Sequence, residues 1–139
     1  MPSLMEISSL YKSLLKIATT EFITIVVSGE VLYSQSNEPW KLRLNLCDGS
    51  LIDIYYSPKG KYSYHWDRSY SKGGIFRHDN APHQKWAKLA TFPRHFHNGS
   101  EDVVVPSHIP EDPALALRDF LSFAIEIIVK NKISRTDAG

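Results

Sequence analysis

The sequence contains a single cysteine, Cys47, so it closes no disulfide within the chain and builds no cysteine-based zinc cluster. Such sparing use of cysteine fits a reducing compartment, and a cytoplasmic location is the expectation. Long hydrophobic runs are also missing. The two best, Phe22–Val27 and Leu121–Val129, fall short of the ~18 apolar residues of a membrane span, and Glu126 interrupts the second. Residues Met1–Ser13 carry Glu6 and lack the basic start and unbroken apolar core of a signal peptide. Neither sign of charge is in excess. The 16 Lys and Arg against 15 Asp and Glu give a net charge of +1, which excludes a basic arm or an acidic tail and leaves room only for local patches. There is no glycine-rich phosphate loop, and Gly73-Gly74 reads as a turn.

What is present is one domain spanning residues 1–139, ordinary in composition and large enough to bury its own core. Leu4, Ile7, Leu10, Tyr11, Leu14, Leu15 and Ala18 recur at spacings of three and four, which predicts an amphipathic helix over 3–18 capped by Ser3. Residues 21–33 are rich in Ile, Val and Thr and read as a strand bulged at Gly29. Trp40–Leu46 and Leu51–Tyr56 flank Cys47-Asp48-Gly49-Ser50 as a hairpin. Tyr62, Tyr64 and Trp66 alternate with polar residues in the next strand, and Ile75–Asp79 makes another. Residues 80–108 hold four of the six His with little periodicity, and a short strand over 103–105 is the only regular piece expected there. A final helix starts at Asp112-Pro113, with Asp as cap, and gives way to a polar tail over 132–139. The expected fold class is α+β: an antiparallel meander of about five strands with both helices packed on one face.

Three clusters carry chemistry. In Ser63-Tyr64-His65-Trp66, strand alternation sends His65 and Ser63 to one face and Tyr64 and Trp66 to the core. In Arg77-His78-Asp79-Asn80-Ala81-Pro82-His83, Arg77 and Asp79 share a face and fall within cross-strand reach of His65 if the two strands form a hairpin. A simpler role for Asp79 and Asn80 is to brace the turn before Pro82. In Arg94-His95-Phe96-His97, extended chain sets both imidazoles on one side, where they form an acid–base pair or two metal ligands. The candidate catalytic residues are His65, Arg77, Asp79, His83, His95 and His97. Lys85, Trp86, Lys88 and Arg94 interleave cations with an aromatic ring, as single-stranded RNA binding requires, and are the candidate substrate-binding residues. No cofactor is expected; a divalent metal would draw on Asp79, His83, His95 and His97.

The order Tyr62–Trp66, Arg77–His83, Phe92-Pro93-Arg94-His95-Phe96-His97 and Val105-Pro106-Ser107 resembles the TumE-type toxin components of prokaryotic toxin–antitoxin systems. The resemblance covers about 40–107. The segment Gln84–Leu89 departs from the family pattern in being longer or more basic, which bears on substrate or partner choice. The resemblance implies a toxin paired with an antitoxin, often a helix-turn-helix protein. RNA cleavage by a metal-independent His/Arg acid–base nuclease is the leading expectation by analogy. The alternative is a non-enzymatic module that binds nucleic acid or protein through the basic aromatic loop. RNA and a second copy of the chain are the other expected partners, and no membrane is.

Overall fold

A computed structural model describes residues 3–71 and 73–138, with side chains as far as residue 132. The chain runs α1 (Leu4–Glu21), β1 (Val26–Tyr33), β2 (Pro39–Leu46), β3 (Leu51–Tyr56), β4 (Tyr62–Asp67), β5 (Ile75–Asp79), β6 (His95–Gly99), β7 (Val104–Pro106) and α2 (Pro113–Ala138). The strands form one sheet in sequence order, each antiparallel to the next. The expected α+β meander is therefore present, with seven strands among the described residues rather than about five. β7 answers to the short strand expected over 103–105, and β6 is the strand the residues do not announce. β6 reads His-Phe-His-Asn-Gly, so it has no run of apolar alternation to announce it, and pairing with β5 fixes its conformation.

Ser3 caps α1 by accepting from the Glu6 amide at 3.2 Å. The helix continues to Glu21, so β1 begins later than the strand expected from residue 21. The register slips between Val26 and Ser28, not at Gly29. A Cβ on Gly29 would stand 2.6 Å from Leu15 Cδ1, so glycine is there to let α1 approach the sheet. At the β2–β3 turn, Gly49 has φ +86° and Asp48 accepts the Ser50 amide at 3.0 Å. Asp112 caps α2 through the Leu115 amide at 3.0 Å. α2 carries the polar tail on to Ala138; its side chains from residue 133 lie outside the described residues.

Both helices lie on one face. α1 packs on β1 and β2 and touches α2. α2 lays Phe120 against Tyr64 (ring centroids 5.9 Å) and Phe123 against Trp66, Phe76 and Phe96 (6.2, 5.2 and 5.8 Å). Leu42, Leu44, Ile52, Ile54, Tyr64 and Trp66 are completely buried beneath them. Across the gap between α1 and the sheet, Tyr11 Oη donates to the Trp40 carbonyl at 2.9 Å and accepts from the Tyr56 amide at 2.9 Å. His78, on the same face, stacks on Phe96 at 4.1 Å and meets Ser107 Oγ at 2.8 Å. Burial first, then the nearby Arg94 and His95, push its pKa down to about 4, while Asp79 opposes them.

Two stability outcomes follow. Tyr11→Phe removes the bonds to the partly buried Tyr56 amide and Trp40 carbonyl, and lowers stability by about 1 kcal/mol; in urea unfolding the midpoint falls with the slope unchanged. His78 is neutral when folded and gains a proton when unfolded as the pH drops from about 6.5 to about 4. Stability contributed by its neutral state is full above that window and is lost through it, by up to roughly 3 kcal/mol. The slope of unfolding free energy against pH across the window flattens in His78→Gln.

Candidate functional site

The face away from the helices carries the polar partners of the core residues. Cross-strand register places Arg43, Asp53, His65, Arg77 and His97 in one row over β2–β6, and Ser63, Asp79 and His95 in the next. Over the β5–β6 end of this face folds the connection from Asn80 to Arg94, which holds a single 3₁₀ turn at Gln84–Trp86. The Trp86 ring centroid lies 6.2 Å from both His95 and His97. Between this connection and the β6–β7 turn is a cavity of about 420 Å³, lined by Arg77, His83, Lys85, Trp86, His97 and Glu101 among others.

Asp79 is the buried centre of the site. Its Oδ2 accepts from Arg77 Nε at 2.9 Å, and its Oδ1 accepts from the Ala81 amide at 3.0 Å. Thus it also braces the turn, as its residue type suggested, while Asn80 ties the Tyr62 amide to the Gly60 carbonyl. His95 and His97 stand side by side, ring centroids 5.0 Å apart, both buried. The Nδ1 atoms of His95 and His97 lie 3.0 Å from the carbonyls of Pro93 and Glu101 respectively. A carbonyl only accepts, so each Nδ1 carries its hydrogen and each Nε2 is turned inward. His97 Nε2 receives Arg77 Nη2 at 3.1 Å. His95 Nε2 is 3.0 Å from Asp79 Oδ1, but off the line a hydrogen bond needs, and has no hydrogen-bond partner.

Electrostatics favour neutral imidazole at His97: burial first, and then the Arg77 charge, lower its pKa against the opposing carbonyl bond from Glu101. Glu101 grips Arg77 through two bonds of 2.7 and 2.9 Å, and these hold its carboxyl below the ordinary range. The guanidinium is therefore shared between two carboxylates and one imidazole. His65 pairs with Arg77 in register; burial and that charge lower its pKa as well.

The sequence-proposed residues divide as follows. Arg77, Asp79, His95 and His97 come together, and His83, Lys85 and Trp86 border the same cavity. His65 lies one strand away, in a separate hollow with Trp40 and Lys41. Lys88 is exposed and does not line the cavity. Arg94 departs from its expected place: it bonds Tyr62 Oη at 3.1 Å and the Ile109 carbonyl, on the opposite side of the sheet. Alternation explains this, since His95 and His97 face one way and Arg94 and Phe96 must face the other. Among possible metal ligands, Asp79, His95 and His97 converge, with donor atoms within 4.8 Å of one another, and His83 is outside that group. Sequence reasoning missed Glu101. The signal for it is the short β6–β7 turn, which returns residue 101 beside residue 97.

No described helix is long and apolar enough to cross a membrane. Neither a curated protein nor a solved structure matches the chain. A family model described as toxin TumE matches residues 15–129, a span that takes in all seven strands and every residue named at this cavity. On that match the chain belongs to the toxin TumE family.

Proposed function

We propose that this toxin cleaves RNA at the cavity beside β5 and β6, by acid–base catalysis that uses no metal ion. The observation that carries the proposal is the lining itself: two imidazoles, His83 and His97, with the cations Arg77 and Lys85 and the ring of Trp86 around one hollow. Metal-free phosphodiester cleavage needs a base for the ribose 2′-hydroxyl, an acid for the departing oxygen and positive charge at the phosphate. His97 is the base. Its Nδ1 hydrogen is held by the Glu101 carbonyl, so its Nε2 lone pair is available once Arg77 moves that donor to a phosphate oxygen. The 2′-oxygen then attacks phosphorus, and the 5′-oxygen leaves with a proton from His83. The products are a 2′,3′-cyclic phosphate and a free 5′-hydroxyl. Trp86 offers a face for the adjoining base and Lys85, 4.7 Å over that ring, a further cation. Asp79 positions Arg77 without touching substrate. Membership of a toxin family implies an antitoxin partner, whose simplest means of neutralisation is to cover this cavity.

Incubation of the purified protein with a mixed RNA pool, with and without chelator, tests the reading. Cleavage survives chelation, leaves cyclic-phosphate ends, and drops by about 10²- to 10⁴-fold in His97→Ala. No cleavage from folded protein transfers the cavity to binding alone. Cleavage that stops with chelator overturns the metal-free mechanism.

A further inference from the structure

We infer that Asp79, His95 and His97 form a binding site for one divalent transition-metal ion, which competes with Arg77 for the same atoms. The three donors are buried and lie within 4.8 Å of one another. Both imidazoles are fixed from behind, Nδ1 to a backbone carbonyl at 3.0 Å, which is how metal-ligating histidines are held in a set tautomer and orientation. The carbonyls thereby leave both Nε2 atoms beside the Asp79 carboxylate, at 3.0 Å from it for His95 and 4.0 Å for His97. A bare imidazole nitrogen and a carboxylate oxygen are both electron-rich, and at the first of these distances a cation shared between them relieves their repulsion. His95 Nε2 is buried and unpartnered, and such a group calls for an ion or a proton. Two imidazole nitrogens with one carboxylate oxygen suit Zn²⁺ and its first-row neighbours, and three protein ligands leave a position for water.

Arg77 stands where the ion would be, 3.1 Å from His97 Nε2 and 2.9 Å from Asp79 Oδ2. It has an alternative. Glu101 already binds the same guanidinium through two oxygens, so Arg77 can release His97 and Asp79 while keeping a carboxylate partner. The charges allow it: one arginine is set against two carboxylates, which leaves the cluster negative before an ion enters. The metal site goes beyond the nuclease reading. One consequence rests on that reading: an ion on His97 Nε2 takes the lone pair the base requires, so bound metal inhibits cleavage.

The test uses the tag-free chain. Calorimetric titration with Zn²⁺, and visible absorption with Co²⁺, give one ion per chain. Asp79→Asn and His95→Gln weaken binding at least tenfold, His108→Ala leaves it unchanged, and circular dichroism checks the fold of each. Where His95→Gln does not fold, His97→Gln replaces it in the same titration. Failure of the native chain to bind Zn²⁺ overturns the site. So does binding that survives Asp79→Asn and is lost in His108→Ala, or a His95 ring whose ¹⁵N NMR signals do not change at saturating Zn²⁺. In the RNA assay, filling the site lowers cleavage at least tenfold. Absence of cleavage from metal-free protein counts against the nuclease reading alone, because the titration still decides the site.

Discussion

A strand sends successive side chains to opposite faces, and in this protein that period of two separates the chemistry from the core. Tyr64 and Trp66 go under α2, and His65 between them goes to the open face. Phe76 and His78 face the helix, while Arg77 and Asp79 do not. Phe96 stacks inward, and His95 and His97 flank it outward. The site exists because three neighbouring strands keep the same phase. A one-residue slip of β6 on β5 would drive His95 and His97 into the aromatic layer and Phe96 into the cavity. Gly74 and Gly99 help to hold that register. Gly74 has φ +81°, and a Cβ there would meet the Gly99 carbonyl oxygen at the end of the pair.

Within that frame, Asp79 sets the electrostatics. A buried carboxylate must be compensated, and here a guanidinium and a backbone amide donate to it. Arg77 reaches it only because β5 presents both residues on one face at a spacing of two. The same guanidinium also extends to Glu101 in the β6–β7 turn, and so links the strand layer to the rim of the cavity. Four ionisable side chains from three chain segments thus form one network, in which a shift of Arg77 changes the surroundings of all the others.

Much of this was legible in the residues. The helices, the β2–β3 hairpin and the facing of His65, Arg77 and Asp79 follow from periodicity and turn chemistry. β6 was not legible as a strand because its outward residues are histidines and its only large apolar residue is Phe96. Proximity in sequence groups Arg94 with the histidines, although strand phase puts it behind the sheet. Glu101 sits in an unremarkable polar turn, and only the return of the chain along β6 brings it to Arg77. Which imidazoles converge depends on loop path as well as strand phase. That is why His83 reaches the cavity but not the Asp79 group.

The aromatic layer of β4–β6 takes its cover from the helix that follows all seven described strands. All seven strands are complete by Pro106, yet Tyr64, Trp66, Phe76 and Phe96 are roofed by Phe120 and Phe123 of α2. During synthesis the ribosome therefore releases every residue of the cavity before the segment that makes the sheet stable. A nascent chain halted short of α2 carries the full chemical set on an uncovered apolar sheet, prone to aggregation and degradation rather than to action. The order of elements thus makes the docking of α2 the step that shields the aromatic layer, after every strand that carries the cavity has been made.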